Sequence, residues 1–554
     1  VLNGTTTGGN LTVNTTGNIT QSANLTVGGT TSVTGNNITL ANGGNSFGGN
    51  VGFTGANVSL QDNGALGLDT STATGTLSIQ AAGAVTQSGA ITTGSDATVT
   101  ATGFDITLNN ASNSFAGTVG FSGANVNLRD TTALAVAAST ATGNLTLQSG
   151  AAITQTGALS VTGNTTATAT GDITLNNASN SFTGTVGGSG ANIAITDSTP
   201  LSLSATTATG TLTAVSNGAI TQTGAISTGG LASLTAGAAN DITLTTAGNA
   251  LASVGIVSGN NVSITEADGI ALATSAVSGG LTLNSGGAIT QSGTLTVGGA
   301  STLTATGDIN LAGSSSFTGD VKFNGGANVA INDIKSDLNI TNGSSATGNL
   351  AITSAGAITD GGTLTVGGNA GFTGTSATLD GLAVTGTVGV SVTGDATLVN
   401  ATGLALSASS IGGNLSATAT TGDLTDTGVV SVGGNATFTT SAANADINLD
   451  QTTVTGSTQL NTNGATGNAS FTTTGPVVLN GTTTGGNLTV NTTGNITQSA
   501  NLTVGGTTSV TGNNITLANG GNSFGGNVGF TGANVSLQDN GALGLDTSTA
   551  TGTL

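Results

Sequence analysis

The chain has 554 residues, 94 of them Gly, and only 5 % are charged, against roughly 25 % in an ordinary soluble domain. It contains no Cys, His, Met, Trp or Tyr, which removes the imidazole base, the thiolate nucleophile and the usual ligands of structural zinc, haem and iron–sulfur clusters. Three basic residues, Arg129, Lys322 and Lys335, stand against 23 acidic ones for a net charge of −20; this repels phosphate backbones and anionic lipid, so no nucleic-acid partner and no membrane insertion by this segment are expected.

In chain order, the apolar residues come in short alternating bursts: Leu11-Thr12-Val13, Leu25-Thr26-Val27, Ile38-Thr39-Leu40, Val51-Gly52-Phe53 and Val58-Ser59-Leu60. That period of two predicts half-buried strands, aliphatic inward and small polar outward. No stretch keeps a helical period, and the Gly content opposes helix throughout. Between the bursts lie turn pairs such as Gly35-Asn36, Asn42-Gly43 and Gly55-Ala56, residues that enter tight turns cheaply. Two Pro, Pro200 and Pro476, in the whole chain suit strands that need their N–H groups for pairing. The chain reads as all β, and its aliphatics and low charge argue against disorder.

Self-comparison sets the architecture. The phrase Ile19-Thr20-Gln21 returns at Val85, Ile153, Ile220, Ile289, Ile358, Leu424 and Ile496, in steps of 66 to 72 residues. A larger block overlies this unit of about 68, because residues 1–77 are identical to 478–554. The chain therefore reads as one continuous repeat region, 1–554, cut from a longer repetitive protein. Each unit divides into about three stretches, each long enough for one circuit of a parallel β-helix. The expected fold is a parallel β-solenoid of about 22 residues per coil and about 25 coils, with a three-coil super-repeat and a rod roughly 120 Å long at the strand spacing.

Inward Leu, Val, Ile and Phe are expected to stack on their equivalents one coil away. Phe47, Phe115, Phe182, Leu251, Phe317 and Phe524 keep the beat of the unit and form the expected core stack. Recurrent Asn such as Asn10, Asn57, Asn125, Asn192 and Asn328 fit either side-chain ladders or left-handed turn positions.

The runs Gly9-Asn10-Leu11-Thr12-Val13 and Gly17-Asn18-Ile19-Thr20-Gln21-Ser22, with Gly143-Asn144-Leu145-Thr146-Leu147 and Gly287-Ala288-Ile289-Thr290-Gln291-Ser292-Gly293, resemble the repeats of the filamentous haemagglutinin family, over practically the whole chain. The resemblance implies a right-handed β-helix forming the shaft of a large bacterial adhesin of a two-partner secretion system. It implies an outer-membrane secretion partner, an extracellular or cell-surface location, and attachment to host or neighbouring cells, including biofilm contact, with self-association of fibres.

Acidic residues mark one turn per unit: Asp62, Asp130, Asp197, Glu266 with Asp268, and Asp333. They are the weak candidates for a metal site, since hard cations take several oxygen ligands. Members a unit apart cannot share an ion, so the expected role is that of polar turn residues. No clustered carboxylates support hydrolysis, and neither catalysis nor a cofactor is expected. Asn-x-Thr triplets such as Asn10-Leu11-Thr12 follow from a turn Asn preceding an alternating strand. The competing readings are an ice-binding solenoid, suggested by runs such as Thr165-Thr166-Ala167-Thr168, and a self-assembling extracellular filament or sheath.

Overall fold

The computed structural model describes residues 1–554, which form about 27 turns of parallel β-solenoid, about 20 residues each, with no helix. The turns are thus shorter and more numerous than the sequence reading has them. The chain divides into two compact units, Val1–Ser278 and Gly279–Leu554.

In the first unit most turns carry three short strands, and most strands pair in parallel with one a turn later; Ser46–Phe47, Ser114–Phe115 and Ser181–Phe182 pair only with the turn before. Ile19–Thr20, Thr26–Val27 and Thr31–Thr34 make one turn, and Ile38–Leu40 begins the next. Ile19 lies in register with Ile38, Ile38 with Val58, Val58 with Leu77, Leu77 with Ala97 and Ala97 with Val119. All six are buried. The ladder goes on from Val119 to Val136, in the strand of Leu134, and then through Ile153, Ile173, Ile193, Leu212, Ala232 and Val254; a second side runs Leu66, Val85, Ile106, Val126 and Leu145. Alternation puts these aliphatics inside, where each contributes about 1.5–3 kcal/mol on burial, and the ladder satisfies backbone groups on both edges of each strand. The second unit is built alike, as in Leu281, Ser301 and Val321, or Val329, Leu350, Ala370 and Val388.

From Ile19 the register runs through Ile38, Val58, Leu77, Ala97, Val119 and Val136 to Gln155, so seven turns lead to the phrase Ile153-Thr154-Gln155, two copies on. The sequence unit therefore spans about three and a half turns rather than three. The phrase at Val85 lies on another ladder, which runs through Ile106, Val126, Leu145, Thr165, Val186 and Leu203 to Gln222 of the phrase at Ile220. Alternate copies thus share a side. At each junction a longer strand pairs with two strands of the next turn, as Thr118–Gly123 does with Leu134–Val136 and Ser139–Ala141.

Two sequence expectations change their physical basis. Gly103 (φ 81°) and Gly237 (φ 82°) do use the left-handed region. At the corners, however, what excludes a side chain is the turn below: a Cβ on Gly49 would lie 2.7 Å from the Gly29 carbonyl carbon and oxygen. The recurrent asparagines form ladders. Asp105 Oδ1 accepts the N–H of Asn125 (3.1 Å), Asn125 that of Asn144 (2.9 Å), Asn144 that of Asn164 (2.9 Å) and Asn164 that of Thr185 (3.0 Å). Asn10, Asn57, Asn192 and Asn328 accept in the same way from Thr30, Thr76, Thr211 and Asn349.

Candidate functional site

The acids of the repeat do not sit on exposed turns. Asp62, Asp130, Asp197, Glu266 and Asp333 each end a strand with the side chain inward and are at most 3 % exposed. Their carboxylates accept the backbone N–H of the residues expected to form the core stack: Phe47, Phe115, Phe182 and Phe317 at 3.3 Å, and Leu251 at 2.9 Å. Asp539 does the same for Phe524 at 3.1 Å. The acid and the aromatic, separate beats in the sequence, are one constellation. In most copies the acid also closes a turn on itself. Asp62 accepts Gly64 N–H (3.0 Å), Asp130 accepts Thr132 N–H (2.9 Å) and hydroxyl (3.0 Å), and Asp197 accepts Thr199 N–H (3.0 Å) and hydroxyl (2.9 Å).

The aromatics are buried, yet they do not stack on one another, because successive copies face different sides. Phe47 lies in register with Val27, Phe115 with Thr93, Phe182 with Val161, Leu251 with Thr228, Phe317 with Val297 and Phe524 with Val504.

Beneath each Phe lies a feature the sequence reading missed. Asn45, Asn113, Asn180, Asn249 and Asn522 are fully buried. Each exchanges two hydrogen bonds with the Gln of the Ile-Thr-Gln phrase in the turn before. Gln87 Nε2 donates to Asn113 Oδ1 (2.8 Å), and Asn113 Nδ2 donates to Gln87 Oε1 (2.8 Å). Asn113 Oδ1 also accepts Ile91 N–H (2.9 Å), and its Nδ2 donates to the Leu108 carbonyl (3.0 Å). Gln21–Asn45, Gln155–Asn180, Gln222–Asn249 and Gln498–Asn522 repeat the exchange. Where the sequence has Ser315 instead, its hydroxyl donates to Gln291 Oε1 (2.9 Å). The signal was present in the sequence, since Gln and Asn recur in fixed phase 24 to 27 residues apart.

Burial raises the carboxyl groups of Asp62 and Asp197 above the usual aspartate range, against the pull of their N–H donors. Glu266 is pushed up to about 7, first by burial and further by the charge of Asp268, with the Leu251 N–H opposing. The exposed ladder acids go the other way: the Thr118 N–H and hydroxyl hold Asp96 down, and the Asn261 N–H holds Asp241 down.

The structure does not bring the candidate acids together. In the first unit the strands that end at Asp62 and Asp197 lie on one ladder and those that end at Asp130 and Glu266 on another, seven turns apart in each case, and no three Asp or Glu converge in a group able to hold a metal. Glu266 and Asp268 share a shallow cavity of about 360 Å³ with Thr228, Leu251 and Gly269. Asp62, Asp130, Asp197, Glu266 and Asp333 each accept a backbone N–H at the end of a strand, which is a folding role, whereas Asp268 is exposed beyond the strand end.

No curated protein and no solved structure matches the chain. Eight successive segments, 1–54, 55–122, 123–189, 190–258, 259–324, 326–391, 393–463 and 466–531, match one repeat family, about one match per sequence unit. The chain belongs to that family, described as repeats of unknown function (DUF5649).

Proposed function

We propose that the chain is the shaft of a bacterial cell-surface or secreted fibre, structural and adhesive, without catalysis. The observation that carries this reading is where the polar groups go. Buried carboxylates and amides are consumed in holding one turn on the next, and the exposed Asp and Asn of the corners are consumed in ladders. What remains outside is a surface of Thr, Ser, Asn and Gly with scattered Asp and few basic groups, repeated along the chain and suited to length and contact. The resemblance of Gly9–Ser22 and its copies to filamentous haemagglutinin repeats favours an adhesin exported by a two-partner route, with host or neighbouring cells as the surface contacted.

The test is immunogold labelling of the producing cells with antibody to residues 1–278, paired with attachment assays on a strain lacking the gene. The expected result is gold outside the envelope and reduced attachment or biofilm; label confined to the cytosol, or unchanged attachment, overturns the reading.

A hydroxyl row favours ice binding as the second reading: Thr20, Thr39, Ser59, Ser78 and Thr98 are in register along one side. The row is one residue wide and ends after five turns, where Thr98 meets Gly120. Rotation of the unit then carries the next Ile-Thr-Gln phrase to another side. Thermal hysteresis at micromolar protein would establish this reading over the first.

A further inference from the structure

Glu266 departs from the constellation it belongs to. Asp130 and Asp197 each receive three donors, the Phe N–H and the N–H and hydroxyl of the Thr two residues on. Glu266 receives one, the Leu251 N–H on Oε2, and its Oε1 is buried with no hydrogen-bond partner; Asp197 Oδ2 is unpartnered too, but there Oδ1 gathers all three donors. The position two residues on, which supplies donors elsewhere, is Asp268, and the aromatic of the other copies is Leu251. A buried carboxylate with one donor and a like charge beside it is costly when ionised, whereas the neutral acid tolerates the site.

We propose that the segments 249–252 and 266–270 form a proton-operated weak point in the first unit, closed while Glu266 holds its proton and opening locally when the proton leaves. The strands packed on it, Ile226–Thr235, Ala250–Ser258 and Ile270–Leu272, carry no charged side chain, so Asp268 is the charged neighbour that acts on it. The cavity shared with Thr228 and Gly269 gives water a short path to the carboxylate once the turn loosens. The direction follows from linkage. The closed form keeps the proton up to about pH 7, while an open chain releases it near the ordinary value of 4.5. Closure is therefore favoured most below about pH 4.5, weakens as pH rises through that window, and levels off above 7.

The test is hydrogen exchange of the full chain, read at the Leu251 amide and corrected for intrinsic rates, at pH 4.5 and pH 8. Protection at Leu251 is expected to fall by on the order of a hundredfold between them, with little change at Phe115. Glu266→Gln, which cannot ionise, should stay protected at both. Asp268→Thr, which restores the donors of the Asp130 and Asp197 copies and removes the like charge, should shrink the dependence, and it provides the reading if the Gln variant does not fold. Equal Leu251 protection at the two pH values in the parent chain, or undiminished pH dependence in the variants, overturns the proposal.

Discussion

At the scale of single residues, this solenoid is held in register by polar groups as much as by aliphatic ones. Asn113 supplies partners to the Gln87 amide, the Ile91 N–H and the Leu108 carbonyl at once, so Asn113→Ala leaves several buried groups unpaired. Each such group costs about 1–3 kcal/mol, and the substitution is expected to destabilise its turns by about 3 kcal/mol. Asn113→Ser should cost less, because Ser315 occupies the same position naturally and still donates to its Gln. Hydrogen exchange at Ile91 checks both; equal protection in the parent and the Ala variant would refute the role. None of this was legible residue by residue. The phase of Asp62 and Phe47 was visible, but a link between residues 15 apart, one at a strand end and the other in the next turn down, has no local signature. The Gln–Asn pair was hidden for the same reason, and buried Asn contradicts the ordinary expectation that Asn marks a turn.

At the scale of elements, strands as short as Thr26–Val27 and Ser46–Phe47 have little intrinsic stability, and corner ladders compensate by tying each turn to the next. The ladder from Asp105 to Thr185 shows a grammar. A carboxylate accepts without donating, so it suits the first rung. Asn, which donates to the rung before and accepts from the rung after, suits the middle, and Thr, with its short hydroxyl, suits the end. Because these rungs are exposed, Asn144→Ala should cost only about 0.5–1 kcal/mol, whereas a Pro at the same position, which removes backbone donation to Asn125 altogether, should cost about 3 kcal/mol or more. Thermal unfolding of the two variants gives the ranking, and equal losses would contradict it. The strands themselves were readable from alternation. The ladders were readable only as one of two options, since sequence does not distinguish an Asn that bonds upward from one that turns left-handed.

At the scale of the whole molecule, the property that sequence periodicity concealed is the mismatch between unit and turn. Dividing about 68 residues into three coils looks natural, yet the register from Ile19 takes seven turns to pass two units. The junctions that settle the count, where one strand pairs with two of the next turn, leave no mark in the alternation. The chain has no Cys, so introduced pairs label cleanly. Spin labels introduced by Thr20→Cys and Thr154→Cys, both exposed and seven turns apart on one side, should sit about 34 Å apart at the strand spacing. Three coils per unit would place them six coils apart, at about 29 Å, and that distance would restore the simpler scheme.

A unit that fits on two sides also bears on how such a gene can grow. A duplicated segment need not contain a whole number of turns to rejoin the ladder, because the phrase that lands on the other side pairs there in the same way, Val85 with Ile106 as Ile19 with Ile38. Unequal crossing-over between any two copies of the unit then keeps the fold intact, whether it adds an odd or an even number of them. Length polymorphism between strains, in steps of one unit, is the expected trace.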